Sequence, residues 1–164
     1  KSAAALEDNL KIRPAVLADA ESIASFNQAM AMETEAKQLA EATILEGVRR
    51  QLTDQTLGFY LVAEVDSKAI GCLGITFEWS DWRCGLFWWI QSVYVDPAYR
   101  NKGAFTQLYG QVKDLASHQK EVIGIRLYAE KENTRAIRTY LRLGMSETPY
   151  RILEEEFTDS SKKS

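Results

Sequence analysis

The chain is poor in the residues that build metal centres and disulfide frameworks. Its 164 residues hold one histidine, His118, and two cysteines, Cys72 and Cys84. That count excludes His-rich zinc sites, and the cysteine spacing excludes a Cys-x-x-Cys motif. Both cysteines sit in strand-like apolar surroundings, which read as buried, inert thiols in a reduced, cytoplasmic protein, with a single disulfide between them as the alternative. An excess of charge of either sign is also lacking. Twenty Lys+Arg against 23 Asp+Glu leave a formal charge of −3, which gives no global attraction to nucleic acid or acidic lipid. No uncharged run approaches the roughly 18–20 residues of a membrane span, and the first residues lack the apolar stretch of a secretory signal.

What is present is an ordinary globular composition, 46% apolar and 26% charged, enough to bury a core. The terminal segments 1–8 and 159–164 are small and polar and read as flexible tails, leaving a single domain over 9–158. Leu10 to Arg13 alternate as a strand that stops at Pro14. Ile23, Phe26 and Met30 recur at helical spacing behind a candidate cap, Asp19, and Ile44, Val48 and Leu52 mark a second helix. Residues 59–64 and 69–79 read as a hairpin turning at Asp66-Ser67. After a turn at 81–85, residues 86–95 are aromatic, β-branched and uncharged, the pattern of a central strand covered on both faces. Phe105, Leu108, Val112 and Leu115 mark a helix beginning near Gly103, and 123–129 reads as another buried strand. Asn133 can cap a helix running to Leu143 with Gly144 at its C′ position, and 145–157 reads as strand-like. The order β-α-α-β-β-β-α-β-α-β is α/β with antiparallel middle strands, not a βαβ repeat.

The most informative stretch runs from Val93 to Phe105. A strand ends, a Pro97 turn follows, and a basic loop containing Arg100, Asn101, Lys102 and Gly103 feeds a helix N-terminus. Such an end presents unpaired N–H groups and the positive end of the helix dipole, which suit a phosphate or pyrophosphate. A plain strand-to-helix turn with solvated charges is the competing reading. The glycine spacings of a Walker A loop and of a Rossmann fingerprint are absent.

Asp96-Pro97-x-Tyr99-Arg100-x-Lys102-Gly103, followed further along by Asn133-x-x-Ala136-x-x-x-Tyr140-x-x-x-Gly144-Met145, resembles the Gcn5-related N-acetyltransferase (GNAT) family. The first segment is similar to the family's Q/R-x-x-G-x-G/A pyrophosphate motif, with Phe105 in place of its last Gly/Ala. The second is similar to its N-x-x-A-x-x-x-Y-x-x-x-G-F motif. The resemblance implies a small single-domain member of bacterial type with the GNAT acyl-CoA N-acyltransferase fold. That is an α/β fold with a mixed, mostly antiparallel sheet, splayed parallel strands 4 and 5, and helices on both faces.

The resemblance further implies acetyl-CoA as cosubstrate, no metal, and direct attack by an amine in a ternary complex. Val93, Tyr94 and Val95 would hold the pantetheine arm, with the Val95 N–H polarising the thioester carbonyl as an oxyanion donor. Arg100, Asn101, Lys102, Gly103, Ala104 and Phe105 would bind the pyrophosphate, and Asn133, Ala136 and Tyr140 would complete the cofactor site. Tyr140 takes the family's general-acid position. No titrating residue stands on the central strand, so the base is sought in Glu33, Glu35, Glu78 and Asp81, with Glu78 named for the role; solvated helix and hairpin ends are the plainer reading of each.

These carboxylates, with Trp79, Trp82 and Gln91, form the expected acceptor-binding set. The acceptor would be a small-molecule or peptide amine, with no nucleic acid and no membrane involved. All four tryptophans, Trp79, Trp82, Trp88 and Trp89, fall on one hairpin. They suit a pocket wall using cation–π attraction, flank packing, or a homodimer surface. A non-catalytic acyl-CoA sensor is the alternative function.

Overall fold

A computed structural model describes residues 9–158; the expected flexible tails at 1–8 and 159–164 lie outside the described residues. Five strands form one sheet in the order β1-β2-β3-β4-β5: Leu10–Pro14, Gly58–Val65, Lys68–Ser80, Gly85–Val95 and Val122–Arg126. The first four pair antiparallel and β4 pairs with β5 in parallel. The hairpins follow from local chemistry. Asp66 and Ser67 both adopt positive φ, 50° and 64°, as a two-residue loop between twisted strands requires. At the β3–β4 turn the Asp81 carboxylate accepts the Trp82 N–H at 2.8 Å and its carbonyl accepts the Cys84 N–H at 3.3 Å. Cys84 closes that turn with φ 47° and is exposed, whereas Cys72 is buried; the core position expected for Cys84 is corrected by its place in the turn.

Helices α1 (Ala20–Glu35) and α2 (Glu41–Thr53) cover one sheet face, burying Ile23, Ala24 and Val48 against Tyr60, Val62 and Cys72. A glycine is needed at 74, where a Cβ would lie 2.6 Å from the Tyr60 ring. The opposite face, with Leu61, Ala63 and Leu73, is buried beneath α3 (Ala104–Ser117), whose Leu108 and Val112 are fully enclosed. Helix α3 also supplies the crossover that a parallel β4–β5 pair demands. At the start of α1, Asp19 stands at the expected cap position, yet its side chain does not cap the helix. Its carboxylate instead accepts Arg13 Nη1 and Nη2 at 2.8 and 2.9 Å and the Val16 N–H at 2.7 Å. Arg13 Nε also donates to Glu64 at 2.7 Å, so one guanidinium joins β1, β2 and the approach to α1.

Two compact units are distinguished, divided between Tyr128 and Ala129. The second holds α4 (Thr134–Arg142), followed by residues 145–158, which form no strand. Pro149 removes a ladder donor there and the Glu154-Glu155-Glu156 run stays in solvent, so apolar alternation alone was insufficient. Strand β5 is also shorter and less buried than its apolar residues suggest. It ends at Arg126, and Ile123 is 41% exposed because the strand lies at the sheet edge.

Candidate active site

The site begins with an irregularity in β4. Gly74 pairs with Ser92 and Ile75 with Ile90, so Gln91 is an extra residue, a bulge that redirects the strand. On its other side β4 pairs with β5 only as far as Trp89↔Arg126. Beyond that point the two strands part, while β4 continues on β3 as far as Val95. The Asp96 N–H donates to the Ile70 carbonyl at 2.7 Å. The two-residue repeat of an antiparallel ladder therefore turns the backbone groups of Val93 and Val95 toward the edge that β5 has left.

That edge leads into the basic loop. Asp96 accepts the Ala98 N–H at 2.9 Å and Pro97 opens a single 3₁₀ turn through Tyr99. Asn101 and Gly103 adopt positive φ, 62° and 85°, and Gly103 is the N-cap of α3. Having no side chain, it brings no cap of its own to a helix start whose backbone N–H groups and dipole suit an anion. A Cβ on Gly103 would meet nothing within 4 Å, so glycine serves the backbone angle here and not a tight contact. Lys102 Nζ donates to the Ala98 carbonyl at 3.2 Å. Ala104 is buried, and Phe105, at the departure from the family motif, stacks on Tyr109 at 6.3 Å within α3.

Arg100 is engaged within the protein at both ends of its guanidinium. Its Nε donates to the Val95 carbonyl at 2.8 Å, and Nη2 reaches both oxygens of Glu33 at 3.0 and 2.8 Å. The Tyr94 hydroxyl donates to the same carboxylate at 3.4 Å, and the Tyr94 ring lies 5.2 Å from the guanidinium. Burial and the Glu33 charge hold the Tyr94 phenol above its ordinary pKa. Glu35, the last residue of α1, is exposed.

The remaining acceptor-set residues divide between the sheet faces. Glu78 pairs with Phe87 and Trp79 with Leu86 in the β3–β4 ladder, so Glu78 and Trp79 point to opposite sides. Glu78 receives Arg126 Nη1 at 2.7 Å, and that guanidinium lies 3.6 Å from the centre of the Phe87 ring. Trp79 and Trp82 are 58% and 88% exposed, Trp82 in the turn beside Asp81. Trp88 is 2% exposed, packed on Phe59 and Phe77, while Trp89 on the other face meets Tyr128 at 6.0 Å. The Tyr128 hydroxyl reaches Gln91 Oε1 at 3.5 Å, at the bulge. Arg126 and Tyr128 escaped the sequence reading. For Arg126 the available signal was its place on β5, where it pairs with Trp89; Tyr128 lies beyond the end of that strand, and no local pattern marked it.

In the second unit the Asn133 side chain accepts the Ala136 N–H at 3.4 Å and caps α4. At the other end Gly144, φ 107°, donates to the Leu141 carbonyl, and the Met145 N–H donates to Tyr140, both at 3.1 Å. This is a Schellman closure, and it explains the spacing from Tyr140 to Gly144-Met145. Tyr140 is half-buried, and burial pushes its phenol pKa upward.

A mixed sheet that parts beside a bulged strand, with an uncapped helix start at that strand's end, defines an acyltransferase-type fold. Known structures agree. A possible acetyltransferase from Clostridium difficile 630 is 43% identical, with 91% of this chain and 98% of that chain covered and a TM-score of 0.85. An integron cassette protein, HFX_CASS3, from the mobile metagenome of Cole Harbour Salt Marsh shares the fold at 18% identity, with 93% of each chain covered and a TM-score of 0.79. An aminoglycoside N-acetyltransferase, AAC(6')-Iy, in complex with CoA does so at 17% identity, with 90% of this chain and 94% of that chain covered and a TM-score of 0.75. No curated protein matches the sequence significantly. The model of the acetyltransferase (GNAT) family matches residues 24–145, and the chain belongs to that family. Among the described residues no helix is long and apolar enough to cross a membrane.

Proposed function

We propose that the protein transfers the acetyl group of acetyl-CoA to a primary amine by direct attack in a ternary complex. The observation that carries this reading is the backbone edge of Val93 and Val95, turned away from β3 where β5 has diverged and running into the uncapped start of α3. Those groups fit a pantetheine amide followed by a pyrophosphate: alternating backbone donors and acceptors, then clustered N–H groups beside Lys102.

Acetyl-CoA supplies the activated acetyl group. The Val95 N–H donates to the thioester oxygen as negative charge develops there. The amine nitrogen forms the new bond to the acetyl carbon and the carbon–sulfur bond breaks. Tyr140, at the family motif's general-acid position, gives its phenolic proton to the departing sulfur and recovers the proton that the nitrogen sheds as the amide forms. An alkyl amine with a pKa near ~10.4 is neutral in only about one molecule in 10³ at pH 7. Its surplus proton is assigned to Glu78, whose carboxylate Arg126 orients, and from there to water.

Two fold relatives carry different acceptors in their names, an aminoglycoside acetyltransferase and a ribosomal-protein-alanine N-acetyltransferase from Brucella melitensis biovar Abortus 2308. The test is therefore a panel of spermidine, an aminoglycoside, free amino acids and an alanyl peptide, with thiol release and product mass read together. Equimolar CoA and N-acetylated amine is the expected outcome. Tight acetyl-CoA binding with no amine acetylated would instead favour the sensor.

A further inference from the structure

We propose that Arg100 is a positioning residue that orients the Val95 peptide and ties it to α1, and that it is not a phosphate ligand. The inference rests on the acetyltransferase reading for the role of Val95. The peptide linking Val95 to Asp96 is held from both sides: its N–H donates to the Ile70 carbonyl at 2.7 Å and its carbonyl accepts Arg100 Nε at 2.8 Å. The Val95 N–H belongs to the preceding peptide, joined to this plane through the Val95 Cα, so holding the plane restrains the rotation at Val95 that would redirect it. The other end of the same guanidinium is engaged by both oxygens of Glu33. A planar fork joining a carbonyl to a carboxylate is a geometry that arginine supplies and lysine does not.

Tyr94 strengthens the assignment. Its ring stacks on Phe26 of α1 at 5.6 Å, its hydroxyl reaches Glu33, and the Arg100 guanidinium lies against it. Two residues of α1, Phe26 and Glu33, thus clasp the β4 residue that precedes Val95. Glu33 lies two residues before the end of α1, where Ala36 turns left-handed into the connection to α2. Glu33, expected to bind the acceptor amine, instead completes this clasp, and within the loop Lys102 is left as the basic side chain for the pyrophosphate.

The test compares Arg100→Ala, Arg100→Lys, Glu33→Gln and the Arg100→Ala/Glu33→Gln double variant. CoA affinity is measured by calorimetry, and kcat and KM with the amine that turns over in the panel. Misdirecting the oxyanion donor should lower kcat by about tenfold or more in each single variant, with CoA affinity kept within about threefold. The double variant should be no slower than Arg100→Ala, because both changes break one unit. Arg100→Lys should share the loss, since one ammonium cannot span both acceptors. A CoA affinity reduced tenfold or more in Arg100→Ala would overturn the proposal, and calorimetry reads this even where no amine is acetylated. Full kcat in Arg100→Lys, or additive losses in the double variant, would overturn it too.

Discussion

A phenol donates a proton only while it holds one, and burial raises the pKa of Tyr140. The raised value keeps the donor form present at higher pH than an exposed tyrosine would, so the alkaline fall of kcat should lie above the ordinary phenol range. Tyr140→Phe keeps the ring and removes the proton; kcat should fall by about 10²–10⁴-fold and this alkaline limb should vanish from the pH–rate profile. A Phe variant with unchanged kcat would remove Tyr140 from the chemistry. Tyr140 was legible because its motif is local: a cap at Asn133 and a closure at Gly144-Met145 frame it within one short helix. Arg100 was legible only as a charge. Its partner Glu33 is 67 positions away, and nothing near either residue in the chain encodes the pairing. Asp19 repeats the lesson, since local preference set an acid before α1 while Arg13 from β1 determined what its carboxylate binds.

At the scale of elements, apolar periodicity identified strands and helices wherever both faces or one stripe are buried. It failed where burial ends: at the outer end of the edge strand β5 and over 145–157. Bulges were equally invisible, because the extra residue at Gln91 is defined only against the β3 register. The face beneath α1 and α2 yields a prediction of its own. Burial pushes the Tyr60 phenol and the Cys72 thiol each up to about 12. Both are neutral in the fold, and the unfolded chain releases these protons first, near its ordinary Cys and Tyr values. Stability from this face is therefore complete below about pH 8.5 and declines as pH rises toward 12, by up to about 1.4 kcal/mol per pH unit for each group. Denaturant melts across that range should show the decline, and it should be shallower in Tyr60→Phe. A Phe variant with the wild-type slope would contradict the assignment.

For the whole molecule, the two family motifs lie in separate units, and each is explained within its own: a strand edge meeting an uncapped helix in one, a doubly closed short helix in the other. That locality is why the family and reaction class could be read from sequence. The acceptor could not, because its expected residues are spread over α1, β3, β4 and the hairpin turn. The structure sets Glu78 and Trp79 on opposite faces and brings in Arg126 and Tyr128, which no motif announces. Trp79 and Trp82 remain exposed on that hairpin.

In the proposed direct transfer the backbone of β4, and no covalent carrier residue, holds the acetyl donor. Its decisive test is a set of initial rates over a grid of acetyl-CoA and amine concentrations, paired with intact-protein mass after incubation with acetyl-CoA alone. Intersecting double-reciprocal lines and an unmodified protein are predicted. Parallel lines with an acetylated enzyme would contradict it.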